Sequence, residues 1–193
     1  NVYCEIVPYN KPIQYNAELK GIILSGSPFS VNQPDALVAD VKSMAEKLPV
    51  LGVCYGAQLT SKLFGGRVDK SDKREYGRAV LQVEKDDEIF TAIPSKSQVW
   101  MSHGDTILDL PADFEILATT ASIPVAAFKK KNTDNPLYGL QFHPEVYHSE
   151  QGKRILRNFL IDICGCSGDW TPAHFITDTV NALKEQIGDR KVV

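Results

Sequence analysis

Short apolar runs alternate with amphipathic stretches through the first third of the chain, a pattern that predicts strands separated by a helix. Cys4 to Val7 reads as a strand, Gly21 to Ser25 as a buried one through Ile22, Ile23 and Leu24, and Val50 to Val53 as another. Between the last two, Leu37, Val38, Val41, Met44, Ala45 and Leu48 fall at helical spacing and predict a helix over Asp35 to Lys47, capped around Asp35. Strands that are apolar throughout and joined by a helix imply a parallel sheet covered on both faces. From Ala79 to Phe142 the pattern is richer in strands: Ala79 to Glu84, Gln98 to Met101, Glu115 to Thr119, Val125 to Lys129 and Leu137 to Phe142. Helical spacing returns at Ser149 to Cys164 and Ala173 to Ile187, and Cys166 to Pro172, bracketed by Gly and Pro, predicts a linker. The predicted class is α/β, with an open, mostly parallel sheet, helices on both faces and an antiparallel strand-rich section.

Composition narrows the picture. A chain of 193 residues with 43% hydrophobic content is long enough to bury one good core. A formal charge of -3, with Lys and Arg scattered among acids, supplies no basic field for nucleic acid. No run approaches the roughly 20 apolar residues of a membrane span, and Asn1 to Glu5 lacks the regions of a signal peptide, so the expected compartment is the cytoplasm. Four cysteines do not make a disulfide framework. Cys164-Gly-Cys166 has neither the gap nor the second pair of a zinc knuckle, so Cys4, Cys164 and Cys166 read as reduced thiols and no metal is expected. Asp86, Asp87 and Glu88 read as a turn or helix start, and Lys129 to Lys131 as a solvated strand end. His148 and His174 have no partner suggested by sequence, and no phosphate-binding loop is present.

Cys54 stands apart by context. In Val50-Leu-Gly-Val-Cys54-Tyr-Gly-Ala-Gln58 an apolar strand runs into a Gly-x-Cys-x-Gly turn and out into a helix, a nucleophile elbow with Cys in place of Ser. Small residues at Gly52 and Gly56 allow the tight turn, and the helix N-terminus beyond it favours a thiolate. The backbone N–H of Tyr55 can then hold the oxyanion of a tetrahedral intermediate. The same pattern also suits a buried cysteine between close-packed glycines. A base is supplied by Leu140-Gln-Phe-His143-Pro-Glu145-Val146. Side chains two apart on an extended segment share a face, so Glu145 can orient His143 while His143 takes and returns the thiol proton.

Taken together, Gly52-Val-Cys54-Tyr-Gly56-Ala-Gln58 and Phe142-His143-Pro-Glu145 resemble the class I, or triad, glutamine amidotransferases. Further segments resemble one branch of that family, the amidotransferase domain of GMP synthases. They are Ile23-Leu-Ser-Gly26-Ser-Pro28 with Ser30, Arg74-Glu75-Tyr76-Gly77-Arg78, Trp100-Met-Ser102-His103-Gly104-Asp105, and Cys164-Gly-Cys166 with Trp170. The resemblance implies a flavodoxin-like fold and a Cys54-His143-Glu145 triad that hydrolyses glutamine to glutamate and ammonia. It also implies a second oxyanion donor from Gly26-Ser27-Pro28, where Ser27 replaces the usual second Gly. Gln58 matches a substrate-contacting position, and the backbone of Ser102 and His103 matches the part that holds the amino-acid end of glutamine. Asp105 matches the pattern without a derivable role.

The branch resemblance implies a partner as well: an ATP pyrophosphatase (synthetase) domain of the same enzyme, binding ATP and Mg2+, that aminates XMP to GMP. No cofactor is expected in this chain itself. Residues 1–168 are expected to form the amidotransferase domain and 169–193 a linker and helix leading toward that synthetase. Roughly 20 residues, a strand and a helix, are expected before Asn1, since a strand-helix-strand unit takes about 30. Lys191-Val-Val193 reads as the opening of a next strand. A homodimer of the full enzyme would form through portions outside the chain. The competing functions are an amidotransferase component of another pathway, a γ-glutamyl hydrolase on the same elbow, and a non-catalytic regulatory module.

Overall fold

The alternation of strand and helix persists in the computed structural model, which describes residues 2–188 and 190, apart from the side chains of residues 71–75, 174, 175, 178 and 182. In chain order the elements are β1 (Ile22–Leu24), α1 (Val41–Lys47), β2 (Val50–Val53), α2 (Tyr55–Leu63), β3 (Arg67–Val83) and β4 (Lys96–Asp109). They continue with β5 (Phe114–Thr119), β6 (Ala127–Lys130), β7 (Leu137–Leu140), α3 (Gly152–Arg157) and α4 (Pro172–Ile187). The strands form one sheet in the order β1-β2-β7-β6-β5-β3-β4. β1, β2 and β7 are parallel, and the remaining neighbours pair antiparallel.

Both faces of β2 and β7 are covered, as their continuous apolar sequence requires. Side chains alternate across a strand. Leu51, Val53, Tyr138 and Leu140 therefore join a core with Ile155 of α3 and Phe159, while Val50 and Leu137 join another with Val41 and Ala45 of α1 and Ala57 and Leu59 of α2. Each Val, Leu, Ile or Phe among them, fully buried, contributes about 1.5–3 kcal/mol. The sheet places the C-terminal ends of β1, β2 and β7 side by side, where ligands bind in open α/β sheets.

Several expectations change. Cys4 to Val7 forms no strand: Ile6 is 99% exposed, and the segment joins no ladder. Ile6 and Val7 are consecutive rather than alternating, and Pro8 follows without an N–H, so nothing in the segment favours burial of one face. β1 is an edge strand with Ile23 partly exposed, not a buried one. The helix predicted from Asp35 starts at Val41 because Asp40 is its cap, its carboxylate accepting from the Ser43 N–H at 3.2 Å. The Leu37 carbonyl, which a longer helix would commit to Val41, accepts instead from the Tyr55 hydroxyl at 3.1 Å. The helix predicted over Ser149 to Cys164 is split into α3 and a π-helical stretch at Asn158–Ile163. There Asn158 donates to the carbonyls of Ile89 and Thr91 at 3.0 and 2.9 Å. Cys166 to Thr171 is coil, and α4 opens at Pro172, a residue suited to the first helical position. Asn1, Lys191, Val192 and Val193, and the side chains of Arg74, Glu75 and His174, lie outside the described residues.

Candidate active site

One residue separates β2 from α2. Cys54 makes the turn at φ 51 and ψ -104, a conformation that costs an L-residue about 1–3 kcal/mol and is held only by firm surroundings. Those surroundings are backbone. A Cβ on Gly52 would lie 2.6 Å from the carbonyl carbon of Gly56, and one on Gly56 would lie 2.4 Å from the carbonyl oxygen of Leu24. The start of α2 is thus pressed against β2 and β1, which only glycine permits. The Cys54 N–H donates to the Leu140 carbonyl at 2.7 Å, and its own carbonyl accepts from Gln58 N–H at 3.1 Å, opening the helix. The first N–H groups of α2, Tyr55 among them, have no partner within the helix and carry the positive end of its dipole.

Three segments converge on this turn. A Cβ on Gly26 would lie 3.2 Å from Cε1 of His143 and 3.6 Å from Cβ of Cys54, so the Gly26–Ser27 loop, the elbow and the histidine meet at one point. Neither Gly26 nor Ser27 has a positive φ, so the serine sits in that loop without the strain that such a conformation would impose. The loop is anchored from beyond: the Ser30 hydroxyl donates to the Asp105 carboxylate, Lys62 donates to Val31 O and to Asn32 Oδ1 at 3.1 Å, and Asn32 donates to Val68 O at 2.9 Å.

His143 follows β7, and its Nδ1 lies 2.6 Å from Oε1 of Glu145. Its hydrogen bond with Cys54, then that with Glu145, outweighs burial and raises its pKa to about 10. Burial works against the Glu145 carboxylate, yet the bond to His143 holds it below the usual carboxylate range. The Sγ of Cys54 is also 3.8 Å from the Ser102 carbonyl of β4.

β4 organises the far wall. The segments Tyr76-Gly77-Arg78 and Trp100-Met-Ser102 are paired strands, Tyr76 opposite Ser102 and Arg78 opposite Trp100. Ser102 is exposed and His103 is buried, and burial pushes the pKa of His103 down. Gln58, 3% exposed, donates its amide to the Asp105 carbonyl at 2.8 Å, leaving its Oε1 unused by that bond. Asp105, without a derivable role in the sequence, thus ties Ser30 and Gln58 to one strand. Trp100 and Ser149 are drawn to the site by bonds that sequence reasoning did not find: the His143 N–H donates to Trp100 O at 3.0 Å, and Ser149 Oγ to His143 O at 2.5 Å. A thiol on a strained elbow, an imidazole against it and a carboxylate behind the imidazole can together perform nucleophilic acyl transfer.

The family profile of class-I glutamine amidotransferases matches residues 1–163. Over 194 aligned positions the chain is 56% identical to the glutamine-hydrolysing GMP synthase of Cytophaga hutchinsonii and 50% identical to one of Bacteroides thetaiotaomicron. Each comparison covers 100% of this chain and 38% of the relative, so the chain spans well under half the length of these relatives. Among solved structures, one from Thermoplasma acidophilum, assigned to the GMP synthases, is 33% identical with a TM-score of 0.69, over 85% of this chain and 78% of its own. A Thermotoga maritima glutamine amidotransferase shares the fold at a TM-score of 0.67 and 21% identity, over 82% and 84%.

Proposed function

The chain belongs to the class-I glutamine amidotransferases, and from that premise we propose that it hydrolyses glutamine and passes the ammonia to an ATP pyrophosphatase domain that aminates XMP to GMP. The observation that carries the reading is the His143–Glu145 pair at 2.6 Å, set against a thiol on a positive-φ elbow. Cys54 attacks the side-chain amide carbon of glutamine after passing its thiol proton to His143, whose raised pKa suits it to hold that proton. The tetrahedral oxyanion is held by the N–H of Tyr55 and by one from the Gly26–Ser27 loop. Collapse breaks the C–N bond, His143 gives its proton to the leaving nitrogen, and ammonia departs from a γ-glutamyl thioester. Water then attacks the thioester, its proton goes to His143, and glutamate leaves as the thiol is restored. Glu145 keeps the imidazole aligned and favours its charged form between these transfers.

Substrate holding falls to Gln58, whose carboxamide oxygen is not engaged by its bond to Asp105, and to the backbone of Ser102 and His103 for the amino-acid end. ATP and Mg2+ belong to the synthetase, since the sequence here has no phosphate-binding loop. Residues 1–168 serve as the amidotransferase unit and 169–193 as the connection, in a cytoplasmic enzyme whose dimer contacts lie outside this chain. The test is a coupled assay. Glutamate release that rises when ATP, XMP and the synthetase are added supports the reading; release indifferent to all three, or absent with them present, refutes it.

A further inference from the structure

Ser149 lies six residues beyond His143, is 4% exposed, and belongs to none of the motifs that point to the chemistry. Its hydroxyl is used twice. It donates to the His143 carbonyl at 2.5 Å and accepts from the Trp100 N–H at 3.0 Å. The other backbone polar group of Trp100, its carbonyl, accepts from the His143 N–H at 3.0 Å. The clamp continues along the same strand: the Glu150 N–H donates to Gln98 O at 3.1 Å, and the Gln98 amide donates to His148 O at 2.8 Å. Two residues further along β4, the Ser102 carbonyl meets the sulfur of Cys54. β4 is therefore a common rail that touches the thiol at one point and grips the backbone of the histidine at another.

We infer that Ser149 is a positioning residue that sets the His143 ring against the Cys54 thiol by fixing the histidine backbone to β4. This rests on the reading of Cys54 and His143 as a reacting pair. Without the hydroxyl, the Trp100 N–H and the His143 carbonyl both lose a partner, and the bond from the His143 N–H to the Trp100 carbonyl is left to hold the histidine backbone to β4. Reacting groups lose rate steeply when displaced by fractions of an ångström. Ser97 provides the contrast: it lies on the same strand, is also buried at 8% exposure, and its hydroxyl has no hydrogen-bond partner among the described residues.

The experiment measures alkylation of Cys54 by iodoacetamide against pH, resolved by peptide mass, alongside glutamate release by the enzyme that contains this chain. Ser149→Ala, Ser149→Thr and Ser97→Ala are compared with wild type and with His143→Ala. The inference predicts that Ser149→Ala moves the alkylation profile toward that of His143→Ala and lowers kcat about tenfold or more with KM little changed. Ser149→Thr restores both, and Ser97→Ala matches wild type. Should Ser149→Ala fail to fold, Ser149→Cys keeps the volume with a weak donor and is held to the same outcome. A wild-type profile and kcat in folded Ser149→Ala or Ser149→Cys overturns the inference, as does a loss that threonine does not restore. Wild type already indistinguishable from His143→Ala would instead overturn the underlying pairing of Cys54 with His143.

Discussion

Replacing Gly52 with alanine tests how firmly the elbow is built. The added Cβ would lie 2.6 Å from the carbonyl carbon of Gly56 and 2.7 Å from the nitrogen of Ala57, about 0.7 to 0.8 Å inside the 3.4 Å at which ordinary contact begins. Both atoms are backbone at the start of α2, so no side chain can swing aside and the helix terminus itself must retreat. Overpacking of this kind costs about 1–3 kcal/mol. The retreat also carries the Tyr55 N–H and the Cys54 turn away from their places beside Gly26 and His143. A misplacement of about 1 Å costs roughly a hundredfold in rate, so a shift somewhat below that predicts a loss of about 10- to 100-fold in glutamine turnover. Urea unfolding and glutamate release measure the two effects, with Gly104→Ala as the control for stability because its added Cβ meets nothing within 4 Å among the described residues. Gly52→Ala unfolding within about 0.5 kcal/mol of wild type, at undiminished turnover, would refute the claim that strand and helix meet backbone to backbone.

Glu145→Ala lowers turnover less than His143→Ala, since the orienting member of a triad is often the least costly to lose; equal losses in kcat would contradict that order. Loss of the carboxylate also brings the imidazole pKa down from about 10, which histidine NMR titration reads directly. Because that pKa is raised above its unfolded value near 6.5, the stabilisation from His143 is complete below the unfolded value and lost as pH rises through about 10. Urea unfolding of His143→Ala across this window is accordingly less pH-dependent than that of wild type. Ser30→Ala removes a hydrogen bond to the carboxylate of Asp105, costing about 1.5–3 kcal/mol by urea unfolding and lowering turnover as the Gly26–Ser30 loop loosens. Unchanged turnover in a folded Ser30→Ala would show that this anchor has no part in shaping the site.

The elements most legible in the sequence were those whose signal is local. β2 is buried on both faces and reads as an unbroken apolar run, and the glycines around Cys54 announce the turn that their backbone contacts require. The full length of β3 and β4 was not legible, because residues such as Arg67, Asp69 and Lys70 are polar and are held in strand by pairing with Asp109, Thr106 and Asp105. Cys4 to Val7 misled for the opposite reason: apolar composition favours a strand only where a neighbour pairs with it and a core covers it. In the site, Cys54, His143 and Glu145 sit inside two short motifs and could be picked out by chemistry. The bond from Trp100 N–H to Ser149 joins residues 49 positions apart, and the Ser30–Asp105 bond joins residues 75 apart. Such links depend on how strands and loops register in space, which a pattern along the chain does not encode.

The most direct test of the central claim is the nitrogen source used by the enzyme that contains this chain after Cys54→Ala. Under the proposed function added ammonia bypasses the covalent step, so GMP formation from XMP, ATP and ammonia should stay near wild type while formation from glutamine and release of glutamate fall to background. Glutamine turnover persisting above background in a folded Cys54→Ala protein would contradict the account.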